Sequence, residues 1–251
     1  MDLYPAIDLR GGTAVRLHRG DFSKEHAYGD PMALARRFCA AGAGWLHVVD
    51  LDAARTASPV NRPTVMAIAK DNPARVQTGG GVRSERDAEE LLSAGVSRVV
   101  LGTAALEDPE LLARCATRFP DQVALGLDYR RHPDGTLEAA QRGWTEGSGR
   151  AVPAVLESIA GLPLGAVVVT AIQQDGTLEG PDLEGLGPVL DATAIPVIAS
   201  GGVGTVDDLE ALAKLRSPEA GRALGGVVVG KALLDERIDL EEALAACERS
   251  A

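Results

Sequence analysis

Short apolar runs alternate along this chain with longer stretches whose apolar positions recur every three or four residues. The runs cover residues 3–7, 45–49, 75–78, 98–101, 123–127, 166–169, 196–199 and 226–229. They are rich in Val, Leu and Ile, and each is only four or five residues long, so they predict strands. Several are apolar at nearly every position, which predicts parallel strands covered on both faces. The stretches at 31–43, 60–70, 84–94, 109–119, 151–160, 183–191, 205–215 and 240–247 predict helices. Ser84-Glu85-Arg86-Asp87 and Thr205-Val206-Asp207-Asp208 read as helix starts, with a hydroxyl to cap the first turn and a carboxylate three positions on. The irregular pieces, 16–30, 50–59, 129–150 and 170–182, each fall at or beyond the C-terminal end of a strand.

Eight strand–helix units with nothing left over predict an α/β fold, a single (β/α)8 TIM barrel spanning residues 1–251. A doubly wound open sheet is the alternative, and it leaves an internal repeat unexplained. Ala6-Ile7-Asp8-Leu9 stands against Gly126-Leu127-Asp128-Tyr129, 120 residues on. Val48-Val49-Asp50 stands against Val168-Val169-Thr170, Gly79-Gly80-Gly81-Val82 against Ser200-Gly201-Gly202-Val203, and Gly102-Thr103-Ala104 against Gly230-Lys231-Ala232. The repeat predicts two fused (βα)4 half-barrels, about 1–120 and 121–251, with paired functional positions.

Composition removes several classes of function. A net charge of −11 argues against nucleic-acid binding, which needs a basic face. An anionic ligand would have to find positive potential gathered locally. The three cysteines have no metal spacing, and Cys39 and Cys115 fall in apolar helix patterns, so buried thiols in a reducing cytoplasm are expected. Met1-Asp2-Leu3-Tyr4 runs straight into a strand, so no signal peptide is expected. No apolar run approaches the ~20 residues that span a bilayer. The four histidines are scattered without metal-ligand spacing. No G-x-G-x-x-G opens the first unit and there is no P-loop, so neither a metal nor a nucleotide cofactor is expected.

Two glycine turns carry the first chemical signal. Gly80 and Gly81 follow the third strand; Gly201 and Gly202 follow the seventh. Such turns let backbone N–H groups approach an anion at a helix start. The partner turns are Gly102-Thr103 and Gly230-Lys231, and a phosphate between strands seven and eight is a recurrent barrel arrangement. The repeat predicts a second phosphate between strands three and four, so a ligand with a phosphate at each end would cross the barrel mouth. Tight βα turns with no ligand are the plain alternative. Carboxylates carry the second signal. Asp8 and Asp128 end strands one and five, and Asp175 lies in the loop after strand six. A general acid and a general base in one pocket suit proton shuttling on a sugar. Asp50 and Asp52 read instead as binders of local backbone N–H groups.

These residues, together with Val15-Arg16-Leu17, His47-Val48-Val49-Asp50-Leu51-Asp52, Gly81-Val82-Arg83, Arg142-Gly143-Trp144 and Asp175-Gly176-Thr177-Leu178, resemble the phosphoribosylformimino aminoimidazole carboxamide ribotide isomerases of histidine biosynthesis. The resemblance covers essentially the whole chain. It implies a cytoplasmic, monomeric, cofactor-free enzyme that performs an Amadori rearrangement on a bis-phosphorylated aminoaldose. It makes Asp8 the base. The acid falls to Asp128 or Asp175, with Asp175 the favoured position and Asp128 an orienting or assisting carboxylate. Thr170 would lie close to the reacting ribose. Arg16, Arg83 and Trp144 would contact or cover the substrate, and Gly176 would join the second phosphate site.

The chain departs from that pattern in four places. Ala171 stands where an acidic residue is usual, and Gln173-Gln174 replaces a segment that commonly carries a basic one. Arg19 replaces a common glutamine, and residues 130–135 lengthen the loop after strand five. Three other functions remain to be separated. A dual-substrate isomerase would also convert phosphoribosyl anthranilate, but it typically has a serine where this chain has Gly79. The cyclase subunit of imidazole glycerol phosphate synthase would be a lyase needing a glutaminase partner, and the His47–Asp52 and Arg142–Trp144 segments argue against it. A non-catalytic barrel that only binds phosphorylated ligands or a partner protein would leave three mouth carboxylates without a purpose.

Overall fold

The computed structural model describes residues 1–18, 21–141 and 146–248. In chain order the elements are β1 (Asp2–Arg10), β2 (Thr13–His18), β3 (Asp21–Gly29), α1 (Pro31–Ala40), β4 (Trp45–Asp50), α2 (Leu51–Thr56), α3 (Arg62–Asp71), β5 (Arg75–Gly79), α4 (Glu85–Ser93), β6 (Arg98–Leu101), α5 (Thr103–Glu107) and α6 (Pro109–Arg118). There follow β7 (Val123–Arg131), β8 (Leu137–Gln141), β9 (Glu146–Ala151), α7 (Val152–Ser158), β10 (Ala166–Ala171), α8 (Leu183–Ala192), β11 (Val197–Ser200), α9 (Val206–Lys214), β12 (Gly226–Val229), α10 (Lys231–Leu234) and α11 (Leu240–Glu248).

The eight strands read from the sequence are β1, β4, β5, β6, β7, β10, β11 and β12. They pair in parallel in that order, and β12 returns to β1. The pairing of β7 with β10, with Asp128 opposite Thr170, leaves no open edge and excludes the doubly wound sheet. Two arms extend the sheet. The β2–β3 hairpin pairs antiparallel with β1 through Asp8 opposite Val15, and β8 and β9 extend β7 through Tyr129 opposite Ala139. Both arms occupy stretches expected to be irregular. Their residues are too mixed in polarity to advertise strands, and what orders them is pairing with the rim of the barrel. A third difference is α2, a six-residue helix in the stretch 50–59.

Strand alternation divides the core in two. Outward positions such as Ile7, Leu46, Val76, Leu101, Leu125, Val167, Val197 and Val227 meet the helices in one large apolar cluster. Inward positions Tyr4, Ala6, Trp45, Ala124, Ala166, Val168, Ile198 and Val228 fill the barrel's own interior. That interior is narrow and its middle is packed with small side chains. Cys115 is buried as expected; Cys39, expected to be buried too, is only half-buried, and Cys247 is also buried. Among the described residues no helix is long and apolar enough to cross a membrane.

Candidate active site

The inward series continues upward from Ala6 to Asp8, from Gly126 to Asp128 and from Val168 to Thr170, so three polar side chains emerge together at the C-terminal end of the barrel. They line a cleft of about 1090 Å³ that also takes in Arg16, Arg83, Asp175 and both glycine turns. Every position expected in the site lines this cleft except Trp144, which lies outside the described residues, as do Arg142 and Arg19.

The centre of the cleft is an ion-pair bridge. β2 folds back beside β1 and delivers Arg16, whose Nη1 donates to Asp8 Oδ2 at 2.8 Å and whose Nη2 donates to Asp175 Oδ1 at 2.7 Å. One planar guanidinium thus holds the carboxylates of strand one and loop six together. Burial pushes the Asp8 carboxyl above the usual range; Arg16 opposes this and Asp175 adds to it. Burial disfavours the Arg16 charge, yet Asp175 and Asp8 outweigh it and hold its pKa above the ordinary value.

Backbone geometry sets the two turns. Gly80 and Gly81 have φ of +91° and +75°, and Gly201 and Gly202 have +99° and +91°. A β-carbon on Gly80 would fall 2.2 Å from the Asp50 carbonyl oxygen, and one on Gly202 2.1 Å from that of Gly180. The helices nearby divide into two kinds. Ser84 caps α4 and Thr205 caps α9, the latter in a reciprocal capping box with Asp208. By contrast α5 and α10 start at Gly102 and Gly230, and neither has a side-chain cap. Their first N–H groups therefore remain available to an anion. Lys231 Nζ donates to the Gly176 carbonyl oxygen at 3.3 Å.

The cleft is not positive by side-chain count. Its charged lining, among the described residues, is Arg16, Arg55, Arg83 and Lys231 against Asp8, Glu107, Asp108, Asp128 and Asp175. Anion attraction must come from the turns' N–H groups and from cations placed beside them. Arg83 is held near the first turn by donating from Nη2 to the Ala54 carbonyl oxygen at 3.0 Å.

Asp50 binds a local backbone N–H as expected, whereas the backbone N–H that Asp52 holds is not local but comes from Gly11, in the turn between β1 and β2. Asp50 accepts from the Ala53 N–H at 3.0 Å and from Asn61 Nδ2 at 2.8 Å; Asp52 accepts from the Gly11 N–H at 2.7 Å. Ala171 turns outward into the buried core, and Gln173 Oε1 accepts from the Arg131 N–H at 2.9 Å, tying loop six to the end of β7. His47 was not singled out from the sequence as a site residue, although it lines the cleft. The available signal was its place between Trp45 and Val49, the inward positions of β4.

The chain matches the histidine biosynthesis protein family model over residues 2–239. It is 45% identical over 247 residues to a protein from Synechococcus elongatus, covering 98% of this chain and 93% of that one. It is 45% identical over 246 residues to one from Dinoroseobacter shibae, covering 98% of each. Both relatives are named 1-(5-phosphoribosyl)-5-((5-phosphoribosylamino)methylideneamino)imidazole-4-carboxamide isomerases. A barrel whose mouth joins two carboxylates between two glycine turns, matched along nearly its whole length in this way, belongs to the histidine biosynthesis protein family.

Proposed function

We propose that this enzyme performs the same isomerisation: the Amadori rearrangement of N'-(5'-phosphoribosylformimino)-5-aminoimidazole-4-carboxamide ribonucleotide from aminoaldose to aminoketose. The observation that carries the reading is the pair Asp8 and Asp175 on one guanidinium, in the same cleft as two turns suited to phosphate. The substrate has a phosphate at each end and its reacting ribose in between. Anchoring both ends lets remote binding energy orient that ribose.

The chemistry needs one acid and one base. Asp175 protonates the ring oxygen as the C1'–O4' bond breaks, leaving a Schiff base. Asp8 removes the proton from C2', giving an enolamine; its hydroxyl then loses a proton and C1' gains one, which leaves the ketone at C2'. The carbon oxidised and the carbon reduced are neighbours in one molecule, so the electron balance closes without a redox partner. The raised pKa of Asp8 strengthens it as a base. Proton donation by Asp175 requires Arg16 to release it, and the arriving substrate supplies the reason to do so. Asp128, opposite Thr170, orients the ribose. The first turn, with Gly102 and Thr103, takes one phosphate. The second, with Gly176, Gly230 and Lys231, takes the other. The same reading places the protein in the cytoplasm.

A turnover assay with this substrate, run beside phosphoribosyl anthranilate, tests the reading. Conversion of the first, with a rate on the second lower by more than about a hundredfold, about 2.7 kcal/mol of discrimination, is expected. No turnover of the first substrate would overturn the reading. Crystals grown in sulfate should show density at both turns, and density at neither would remove the two-phosphate arrangement.

A further inference from the structure

One polar chain inside the barrel has no part in the acid–base scheme above. His47, Gln77 and Arg98 stand side by side on three adjacent strands: His47 is opposite Gln77 on β4 and β5, and Gln77 is opposite Arg98 on β5 and β6. Gln77 has no exposed surface. Its Oε1 accepts from Arg98 Nη1 at 3.1 Å, and its Nε2 lies 2.9 Å from His47 Nδ1. The direction of the second bond follows from the first. A guanidinium has only donors, so turning the amide over would face NH2 against NH. With Oε1 committed to Arg98, Nε2 must donate, and His47 Nδ1 must accept.

An imidazole nitrogen that accepts carries no proton, so the ring is neutral and its hydrogen sits on Nε2. His47 lines the cleft, and Nε2 has no hydrogen-bond partner among the described residues. Arg98 is itself held in place. Its guanidinium lies 4.7 Å from the Trp45 ring centroid, and Nη1 is 3.4 Å from the Tyr4 hydroxyl. The order Trp45–Arg98–Gln77–His47 therefore runs from the packed floor to the reacting space. On β1 the register partner of His47 is Ala6, one inward position below Asp8.

We propose that Gln77 is a positioning residue which fixes the tautomer of His47, so that a neutral Nε2–H donor faces the substrate oxygen on the carbon deprotonated by Asp8. This deepens the isomerase reading and rests on it. When Asp8 takes the proton from C2', the oxygen on that carbon is on its way to becoming the ketone. In the step that follows, the enolamine's hydroxyl loses its proton as C1' gains one; negative charge builds on that oxygen as the carbonyl forms, and a fixed N–H donor there is worth more than in the ground state. A neutral donor suits the place better than an imidazolium, because Arg16 already brings a positive charge. Burial and Arg16 together lower the His47 pKa to about 4. The charged groups near the ring are Arg16 with Asp8 and Asp175, and Asp128 at the same mouth, and on the floor side Arg98 and Arg75, with the Tyr4 phenol kept neutral by burial.

Two experiments decide the matter. In the first, 15N spectra of the intact wild-type enzyme read the His47 tautomer directly. The expected result is a protonated Nε2 and a bare Nδ1 across neutral pH; a proton on Nδ1 would overturn the proposal without any variant. In the second, Gln77→Glu replaces the donor with an acceptor. Above the ring's pKa the proton then moves to Nδ1, and the cleft sees a bare nitrogen. We expect kcat to fall on the order of 10²-fold at alkaline pH, KM to change little, and a new alkaline limb to appear in the kcat profile. A folded Gln77→Glu enzyme with a wild-type kcat profile would overturn the proposal. Loss of the isomerase reading would show differently, as a wild-type enzyme that does not turn over the substrate at all.

Discussion

The interior of this barrel carries arginine at both ends, on opposite terms. At the mouth, Arg16 lies between two carboxylates at hydrogen-bonding distance. At the floor, Arg75 and Arg98 lie 4.2 and 4.7 Å from the Trp45 ring centroid, and neither forms an ion pair with a described carboxylate. Tyr4 tilts against the same ring, with centroids 5.1 Å apart. A carboxylate–guanidinium pair is exchangeable, since a substrate offers other acceptors to Arg16 and other tasks to Asp8 and Asp175. The guanidiniums stacked on the indole hold no described carboxylate that a substrate could displace, although Arg75 is exposed and Arg98 only half-buried. The mouth is therefore arranged to be rearranged, and the floor is a plug that keeps its shape while this happens.

The sharpest way to break this contrast is Asp8→Asn. Turnover should fall on the order of 10²–10⁴-fold, with substrate binding largely kept, because only the base is lost. The folded protein should not suffer. Burial raises the Asp8 pKa despite Arg16, so the ionised carboxylate is less favourable in the folded chain than in the unfolded one. The neutral amide should melt at or above the wild-type temperature near neutral pH. A variant keeping more than a tenth of wild-type turnover would remove Asp8 from the base role.

Trp45→Ala is the converse change. It removes the surface on which Arg75, Arg98 and Tyr4 pack, and Phe- or Trp-to-Ala changes in cores cost about 3–5 kcal/mol. Denaturant melts should show that loss, while turnover of the folded fraction falls far less than at Asp8. Equal damage to turnover with unchanged stability would mean that the floor is part of the reacting site.

Two neighbouring glycines sharpen the picture of the mouth. A β-carbon on Gly79 meets Val100 Cβ at 3.5 Å, an ordinary contact, whereas on Gly80 it meets backbone at 2.2 Å with φ at +91°. Gly80→Ala should lose about 2–4 kcal/mol from strain and crowding together, and anion binding at that turn with it. Gly79→Ala should be close to neutral in stability. Comparable melting temperatures for the two variants would contradict the backbone geometry at Gly80.

The chain made its barrel legible because parallel strands buried on both faces leave unbroken apolar runs, such as Val123–Leu127 within β7. Asp8, Asp128 and Thr170 were legible because each directly follows such a run. The bridge through Arg16 was not. Its geometry depends on Val15 pairing back onto Asp8 and on loop six coming to the same place, and neither contact is local in sequence. The hairpin arms were missed for a related reason, since their order comes from backbone pairing to a rim that hydrophobic periodicity does not encode. Gln77 and His47 did leave a trace, as polar residues at inward positions of short buried strands. Read without the closed barrel, that trace does not say which face is inward.

The smallest expected effect tests the layer between mouth and floor. His47 has its pKa lowered to about 4 by burial and by Arg16, while an unfolded histidine titrates near ~6.5. Between those values the unfolded chain takes up a proton that the folded one refuses, so stability is fully present above about pH 6.5 and drains away as pH falls toward 4. The loss attributable to this one ring is at most about 3 kcal/mol, spread over the whole interval. His47→Gln keeps a neutral polar side chain and has no such titration. Its stability, measured by denaturant melts at a series of pH values, should follow a shallower slope than wild type between pH 6.5 and 4, about as steep a decline remaining as the carboxylates alone impose. Parallel slopes would place the His47 pKa near that of a free histidine, and the ring would then belong to the solvated mouth instead of the interior that holds it.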